Sequence, residues 1–547
     1  MNRLPDRSNL DHLKKQAKDL LRAWRSRDPH AIAQFRQSLP AAAGRSDDQI
    51  VALGLRLHDA QSCVARSYGF ASWADLRAYV EAGAGARHDR AARTLGFLAL
   101  VYAGEVSGGE NPADARIAVR MLAENPDLAA GDAYVACAVG DEKALRAATA
   151  ADPTWVNRPG GPLRLPPLVA VTHSSLLRVP AFAERLRGSA RHLLAAGADP
   201  NQRIGARSPP ASLRAPDDQI PLSALYGAAG VNRDPALTKL MLDAGADPND
   251  GESLYHSLEN AACTRVLLEH GARIANSNAL YRALDLDDVA PLDVLLAHGA
   301  DANEPARHPP LTDWGTPLLW ALNRRRSRRH VAALLAAGAS PRSATPAGVP
   351  AYSLALQLGL RDVAALLRDH GAAAVLSEDE QFVAACAGGD EAEAHRIRAR
   401  RRDLPGSLSH AHLRRLPDMV AGGGDDGAKL MVELGWPIAA RGGDWNASAL
   451  NLAVFRGNAP LTRFLLEHGA SWKEEHGFRD NVCGTLGWAS CNEPVADGDW
   501  VGCARALMAH GLPRAVPAAD DADWVVIDGR RRRFSEAVRE VLLSEGC

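Results

Sequence analysis

The apolar positions of this chain fall in short blocks rather than long runs, and one block keeps returning. Leucine pairs one turn from an upstream apolar residue, followed at once by glycine, occur in HLLAAGADPN ending at Asn201 and LMLDAGADPN ending at Asn249. They recur in VLLEHGARI ending at Ile274, VLLAHGADAN ending at Asn303 and ALLAAGASP ending at Pro341, and weaker copies close at Ala372, Pro437, Ser471 and Pro513. This spacing predicts the last turns of an amphipathic helix, with the leucines buried and the glycine in the left-handed conformation that stops it. Ala-Asp-Pro-Asn then predicts a turn, because Asp and Asn bond their own backbone and Pro blocks a return to helix. A second, shorter helix lies upstream, as in GTPLLWAL at 315–322, PAYSLALQLG at 350–359 and SALNLAVFRG at 448–457. Pro317 and Pro350 stand in its first turn, where a helix tolerates proline. The terminating glycines are Gly197, Gly245, Gly271, Gly299, Gly338, Gly371, Gly435, Gly469 and Gly511, spaced 26 to 64 residues apart. They centre on a unit of about 33 residues, with insertions in some units and one step long enough to hold a degenerate repeat.

Antiparallel helix pairs closed by an extended tip at this period resemble the ankyrin repeat family. The resemblance covers roughly residues 130–515 and rests on the family's LLxxGAD pattern in the second half of each unit. The first half is looser: Tyr281, Asn451 and Gly487 stand where the family usually has histidine. Residues 134–153 and 382–404 read as degenerate units. The resemblance implies an all-α fold, an ankyrin-type helical solenoid with an N-terminal helical cap domain. The chain then divides into a helical N-terminal domain (1–85), a helical connector (86–129), an array of about ten units (130–515) and a C-terminal cap (516–547). In the first of these, residues 9–24 and 49–67 read as helices, and Ser72 as the N-cap of a third. This head also resembles a helical segment that precedes ankyrin arrays in some bacterial proteins, which implies a bacterial source.

Composition narrows the chemistry. A chain of 547 residues is too long for one compact core, and a net charge of −2 supplies no global field to recruit nucleic acid. Aromatics are only 5%, so the core must come from Leu, Val and Ala, which favours helix-on-helix packing. The start of the chain carries Arg3, Asp6 and Arg7 with no apolar stretch, and the longest apolar run, 95–104, is about half a bilayer span. A cytoplasmic protein with no membrane partner is expected. The eight cysteines contain no C-x-x-C pair and read as buried apolar residues or idle thiols. Of the 18 histidines, His270, His298, His370, His468 and His510 directly precede a terminating glycine, a packing position. No H-E-x-x-H, zinc-spaced Cys/His set, GxSxG, P-loop or GxGxxG motif occurs, so no metal, cofactor or catalytic residue is assigned. Basic runs at 324–329, 398–402 and 530–533 lack interleaved aromatics and read as solvated turns; nucleic acid is not an expected partner.

What the resemblance implies for function is a concave face, built from tips and first helices, that binds a protein or peptide partner. The family's variable positions carry over to Asp313 with its neighbour Trp314, Asp444, Trp445, Asp480 and Asn481 at the tips. They carry over to His256, Arg282, Trp320, Asp285, Phe455, Asn492 and Glu493 along the first helices, with Tyr255 and Tyr281 at the histidine slot. Residues 471–500 stand out on their own account: Trp472, Trp488 and Trp500 crowd into one unit of an aromatic-poor chain, and an insertion at 492–499 breaks it. Its polar residues, among them His476, Asp480, Asn481 and Glu493, could compose a pocket, or the tryptophans could simply close the stack. A small-molecule binder or enzyme is the alternative, with Tyr255, His256, Tyr281, Arg282 and Asp285 supplying acid and base.

Overall fold

The computed structural model describes residue 4 and residues 9–55, 57–83, 89–109, 112–306, 315–518 and 524–543. It forms two compact units, Met1–Ala279 and Leu280–Cys547, and each is an all-α stack of antiparallel helix pairs.

All nine predicted terminators have positive φ, between 75° and 97°. The helix Pro180–Ala195 shows why. It buries Phe182, Leu186, Ala190 and Leu193, and the Gly197 and Ala198 N–H groups then turn back to the Leu194 and Leu193 carbonyls at 3.0 and 2.9 Å. That double return satisfies orphan carbonyls and demands a left-handed residue between them. The histidines before glycine work on the same end: His270, His298, His370 and His468 each place Nδ1 within 2.8–2.9 Å of the carbonyl four residues back.

Tip asparagines set the register between neighbouring turns. The Asn201 side chain donates to the Gly245 carbonyl (3.3 Å) and accepts from the Asp247 N–H (2.8 Å). Asn249 does the same with Gly271 and Arg273, and Asn303 with Gly338 and Ser340. Asn157, outside any recognised copy of the repeat, clips Gly197 and Asp199 likewise. The aspartates two residues earlier fold onto their own turn, as expected: Asp199 accepts from the Asn201 N–H at 2.9 Å.

In Met1–Ala279 the head contains helices Leu10–Arg25, Pro29–Ser38, Asp47–Val51, Leu57–Ser67 and Trp73–Gly83. The single helix expected over 49–67 is thus two, broken near Gly54 at φ 62°. Pro29–Ser38 was not foreseen; Asp28 caps it, Pro29 opens it and Phe35 is wholly buried beneath it. Ser72 does cap the fifth helix, accepting from the Asp75 N–H at 3.1 Å. Helices Arg90–Val101, Gly104–Ser107 and Ala115–Glu124 follow, and then the packed pair Ala133–Val139 with Glu142–Ala151. A hairpin, Arg203–Ala206 against Asp217–Ser223, interrupts one tip.

In Leu280–Cys547 the first helices are Pro317–Asn323, Ala351–Gln357, Glu378–Ala387, Arg415–Ala421, Ala449–Phe455 and Val482–Asn492. The long step between Gly371 and Gly435 holds the degenerate pair Glu378–Ala387 and Glu391–Arg400, whose Phe382 stacks on Trp436 at 5.9 Å. The chain closes with a three-stranded antiparallel sheet, Val516–Pro517, Trp524–Ile527 and Arg530–Arg533, and the helix Glu536–Leu543.

Candidate functional site

In Met1–Ala279 the segment after helix Arg90–Val101 lies against first helices of the repeats. The Tyr102 hydroxyl donates to the Ala170 carbonyl (2.7 Å), in the helix Pro167–Thr172. Buried Arg207 donates from its backbone to Glu105 O (2.8 Å), and from its guanidinium to the carbonyls of Val106 (2.9 Å) and Leu163 (2.7 Å). The Glu105 carboxyl faces the Tyr226 phenol, His256 and Glu252. Tyr226 meets His173 at 5.8 Å and His256 at 5.2 Å, edge to face; His256 in turn meets Tyr255 at 5.0 Å and Glu252 at 3.1 Å. A π-helical turn, Gly227–Val231, makes the room: a Cβ on Gly227 would fall 2.4 Å from His173 Nδ1, and one on Gly230 2.6 Å from the Tyr226 ring. Burial pushes the Glu105 carboxyl up and takes His173 down to about 4. The expected site residues Tyr255 and His256 therefore stand half-buried among groups that already serve one another.

In Leu280–Cys547 several expected surface residues belong to one internal network. Trp320 is 1% exposed and Tyr281 3%, so neither is the surface anchor the sequence suggested. Their rings fill the space between helices, and their polar atoms are met inside the fold: Tyr281 Oη donates to Glu304 O at 2.6 Å, Trp320 Nε1 to Asp285 at 3.2 Å. Arg324 lies 4.1 Å above the Trp320 ring and joins Asp285 (2.9 Å) to Asp444 (2.6 Å). Arg282 is half-buried on the same helix as Tyr281. Asp313 and Trp314 lie outside the described residues.

A partly exposed aromatic series lies elsewhere, open at Phe478 and Trp488, half-buried at Trp445 and Phe455 and buried at His476. A two-residue hairpin, Arg441–Gly442 with Ala447–Ser448, presents Asp444 and Trp445, and the next tip ties to it through Gly477 N–H donating to Trp445 O at 2.9 Å. From there five rings run in contact. Phe478 meets His476 at 5.9 Å, His476 meets Trp445 at 5.0 Å, Trp445 meets Phe455 at 5.7 Å, and Phe455 stacks on Trp488 at 5.5 Å, only 9° from parallel. Trp488 is 54% exposed and Phe478 78%. Of the three clustered tryptophans only Trp488 is open. Trp472 is core, and Trp500 is buried with its indole N–H donating to Phe455 O at 3.4 Å. Phe478 was missed by the sequence reading; its signal was a large apolar residue between Gly477 and Arg479 in a tip.

The polar pocket imagined for this unit does not assemble. Asp480 and Asn481 sit at the start of the helix Val482–Asn492, and Asn492 and Glu493 at its other end. Asp480 belongs to the chain's own C-terminal sheet: Arg532 holds it with two bonds of 2.7 and 2.6 Å, and Arg530 adds a third at 3.1 Å. Burial works to raise this carboxyl, but the arginines and the Asn481 N–H bring it below the ordinary Asp range. Asn481 is the helix N-cap, accepting from the Cys483 and Gly484 N–H groups. Asn492 donates to Trp488 O at 2.8 Å, and Glu493 closes the helix at φ 45°. Beyond Glu493 a cleft of about 390 Å³ is lined by Glu493, Asp497, Trp500 and Val538 among others. Burial pushes the Cys483 thiol up to about 12, so it is no nucleophile at neutral pH. Among the described residues no three His, Cys, Asp or Glu side chains gather as a metal site requires, and no helix is long and apolar enough to cross a membrane.

No protein-family model and no curated protein matches the chain. Solved structures do, among them the human ASB11 ankyrin repeat domain, to which this chain is similar at 19% identity and a TM-score of 0.32, over 45% of this chain and 100% of that one.

Proposed function

We propose that this is an ankyrin-type repeat protein that binds a protein or peptide partner through the tips and first helices of Leu280–Cys547, the face a stacked array is expected to turn inward. The observation that carries the proposal is the contact series Trp445, Phe455 and Trp488, with Trp488 half in solvent in a chain that is only 5% aromatic. Large rings held rigid by one another give up little entropy on binding, which is why such rings dominate interface energetics. Asp444 and Arg324 form a polar flank beside them. Acid–base chemistry has less support, since Glu105, Tyr226, His256 and Glu252 are engaged with one another rather than converging on open space. A cytoplasmic setting fits the six buried free thiols at Cys63, Cys137, Cys263, Cys386, Cys483 and Cys503.

The test is the double variant Trp488→Ala, Phe455→Ala, used as bait in affinity capture from the native cell beside the unaltered chain. Loss of a hot-spot ring is worth about 2 kcal/mol or more, roughly thirtyfold in affinity, so the specific partner should vanish while circular dichroism is unchanged. Undiminished capture would remove this surface from consideration.

A further inference from the structure

The charges around the ring series are unevenly satisfied, and this specifies the partner's chemistry. At the tip end the carboxylates are already taken: Asp444 by Arg324, and Asp480 by Arg530 and Arg532. Two exposed arginines beside Trp445 and Phe478, Arg441 and Arg479, are in no ion pair among the described residues. Arg441 feels His476 and the half-buried Glu474 at longer range, exposed Glu475 lies in the same tip, and exposed Asp528 lies near Arg532. At the opposite end of the helix Val482–Asn492, past Trp488, the sense reverses: Glu493 and Asp497 are exposed at the rim of the cleft and likewise in no ion pair among the described residues. Among the described residues, unpaired arginines thus stand toward one end of the helix Val482–Asn492 and unpaired carboxylates toward the other. The helix between them has 11 residues, which at ~1.5 Å each spans about 16 Å. An extended peptide at ~3.3 Å per residue covers that in about five residues.

We propose that the partner is an extended peptide segment with an apolar or aromatic residue seated on Trp445, Phe455 and Trp488, an acidic residue toward Arg441 and Arg479, and a basic residue about five positions away toward Glu493 and Asp497. This rests on the binding reading above and adds the sign and spacing of the partner's charges. Rim charges of this kind set orientation and reject partners of the wrong sign more than they add affinity.

The experiment is selection of phage-displayed random dodecapeptides on the full chain, with the best peptide then synthesised and titrated by fluorescence anisotropy. Enriched peptides should carry Asp or Glu and Lys or Arg about five positions apart, with a large apolar residue between. The pair Arg441→Glu, Arg479→Glu should weaken the selected peptide by about tenfold, and the same peptide with its acid changed to lysine should recover on that variant. Added salt should weaken binding to the unaltered chain. Peptides that need Trp488 but bind equally well with their charges inverted would overturn this inference and leave the binding surface standing. If no enriched peptide depends on Trp445 or Trp488, or none is enriched at all, both fall. Arg441, Arg479 and Trp488 are exposed and Trp445 is half-buried, so an alanine at either tryptophan tests the dependence, and circular dichroism of each variant separates lost binding from lost fold.

Discussion

Changing Gly338 to Ala isolates the conformational requirement on which the repeat depends. Gly338 has φ 90°, and a Cβ added there meets nothing within 4 Å. The substitution therefore creates no clash, and its penalty is that of holding an L-residue in the left-handed region, about 1–2 kcal/mol. The chain cannot easily relax out of it. Gly338 N–H donates to Leu335 O at 3.0 Å, Ala339 N–H to Leu334 O at 2.9 Å, and the Gly338 carbonyl accepts from Asn303 at 2.9 Å. Giving up these bonds, at about 1 kcal/mol each, would exceed the strain. Urea unfolding of the full chain, followed by helix ellipticity, should place the destabilisation near 1–2 kcal/mol with an unchanged slope. Gly359→Ala supplies the contrast: its φ is 72°, but its Cβ would fall 2.4 Å from the Ala387 carbonyl oxygen, so the loss should be clearly larger. Equal losses at the two sites, or a change below about 0.3 kcal/mol at Gly338, would refute the account of why glycine ends these helices.

Asn303→Ala removes both bonds across the turn and should lower stability by about 1–2 kcal/mol, with faster amide exchange at Ser340 as the local readout. Arg532→Ala should release Asp480 and loosen the C-terminal sheet. Because Asp480 titrates below its ordinary range when folded, its contribution is present above the unfolded pKa of about 4 and is lost as pH falls through the lower folded value. The variant should accordingly show a flatter acid limb in stability measured from pH 6 to pH 2. Glu105 has the opposite sign: burial raises its carboxyl, so stability falls as pH rises above the unfolded pKa of about 4, and the loss is complete once pH passes the folded value. Glu105→Gln, which keeps the side chain's shape and removes its charge, should stabilise the chain at pH 7, with the gain disappearing by pH 4; no gain at neutral pH would argue against burial as the cause.

The terminators were legible because a left-handed residue after a leucine stripe is a local requirement, and all nine glycines meet it. The role of the tip asparagines was only half legible. Their fold onto the local turn follows from neighbouring residues, whereas the clip from Asn201 to Gly245 reaches a partner 44 residues on. The same limit applies to Asp480, which has the composition of a binding residue but pairs with Arg532, 52 residues away. Trp320 and Tyr281 misled because family position places a side chain on a face without saying whether a neighbour fills the space in front of it. The helix Pro29–Ser38 was there to be read in Asp28-Pro29, a cap followed by a first-turn proline.

The asparagine clip is indifferent to the length of chain between its two ends. The same pair of bonds closes over 40 residues from Asn157, 44 from Asn201, 22 from Asn249 and 35 from Asn303. Extra polypeptide can therefore be spliced into a tip, as the hairpin at Arg203–Ser223 is, without shifting the turn that comes next. Such a fastening lets each unit lengthen on its own, and it marks those tips as the places where new sequence could be grafted while the stack keeps its registration.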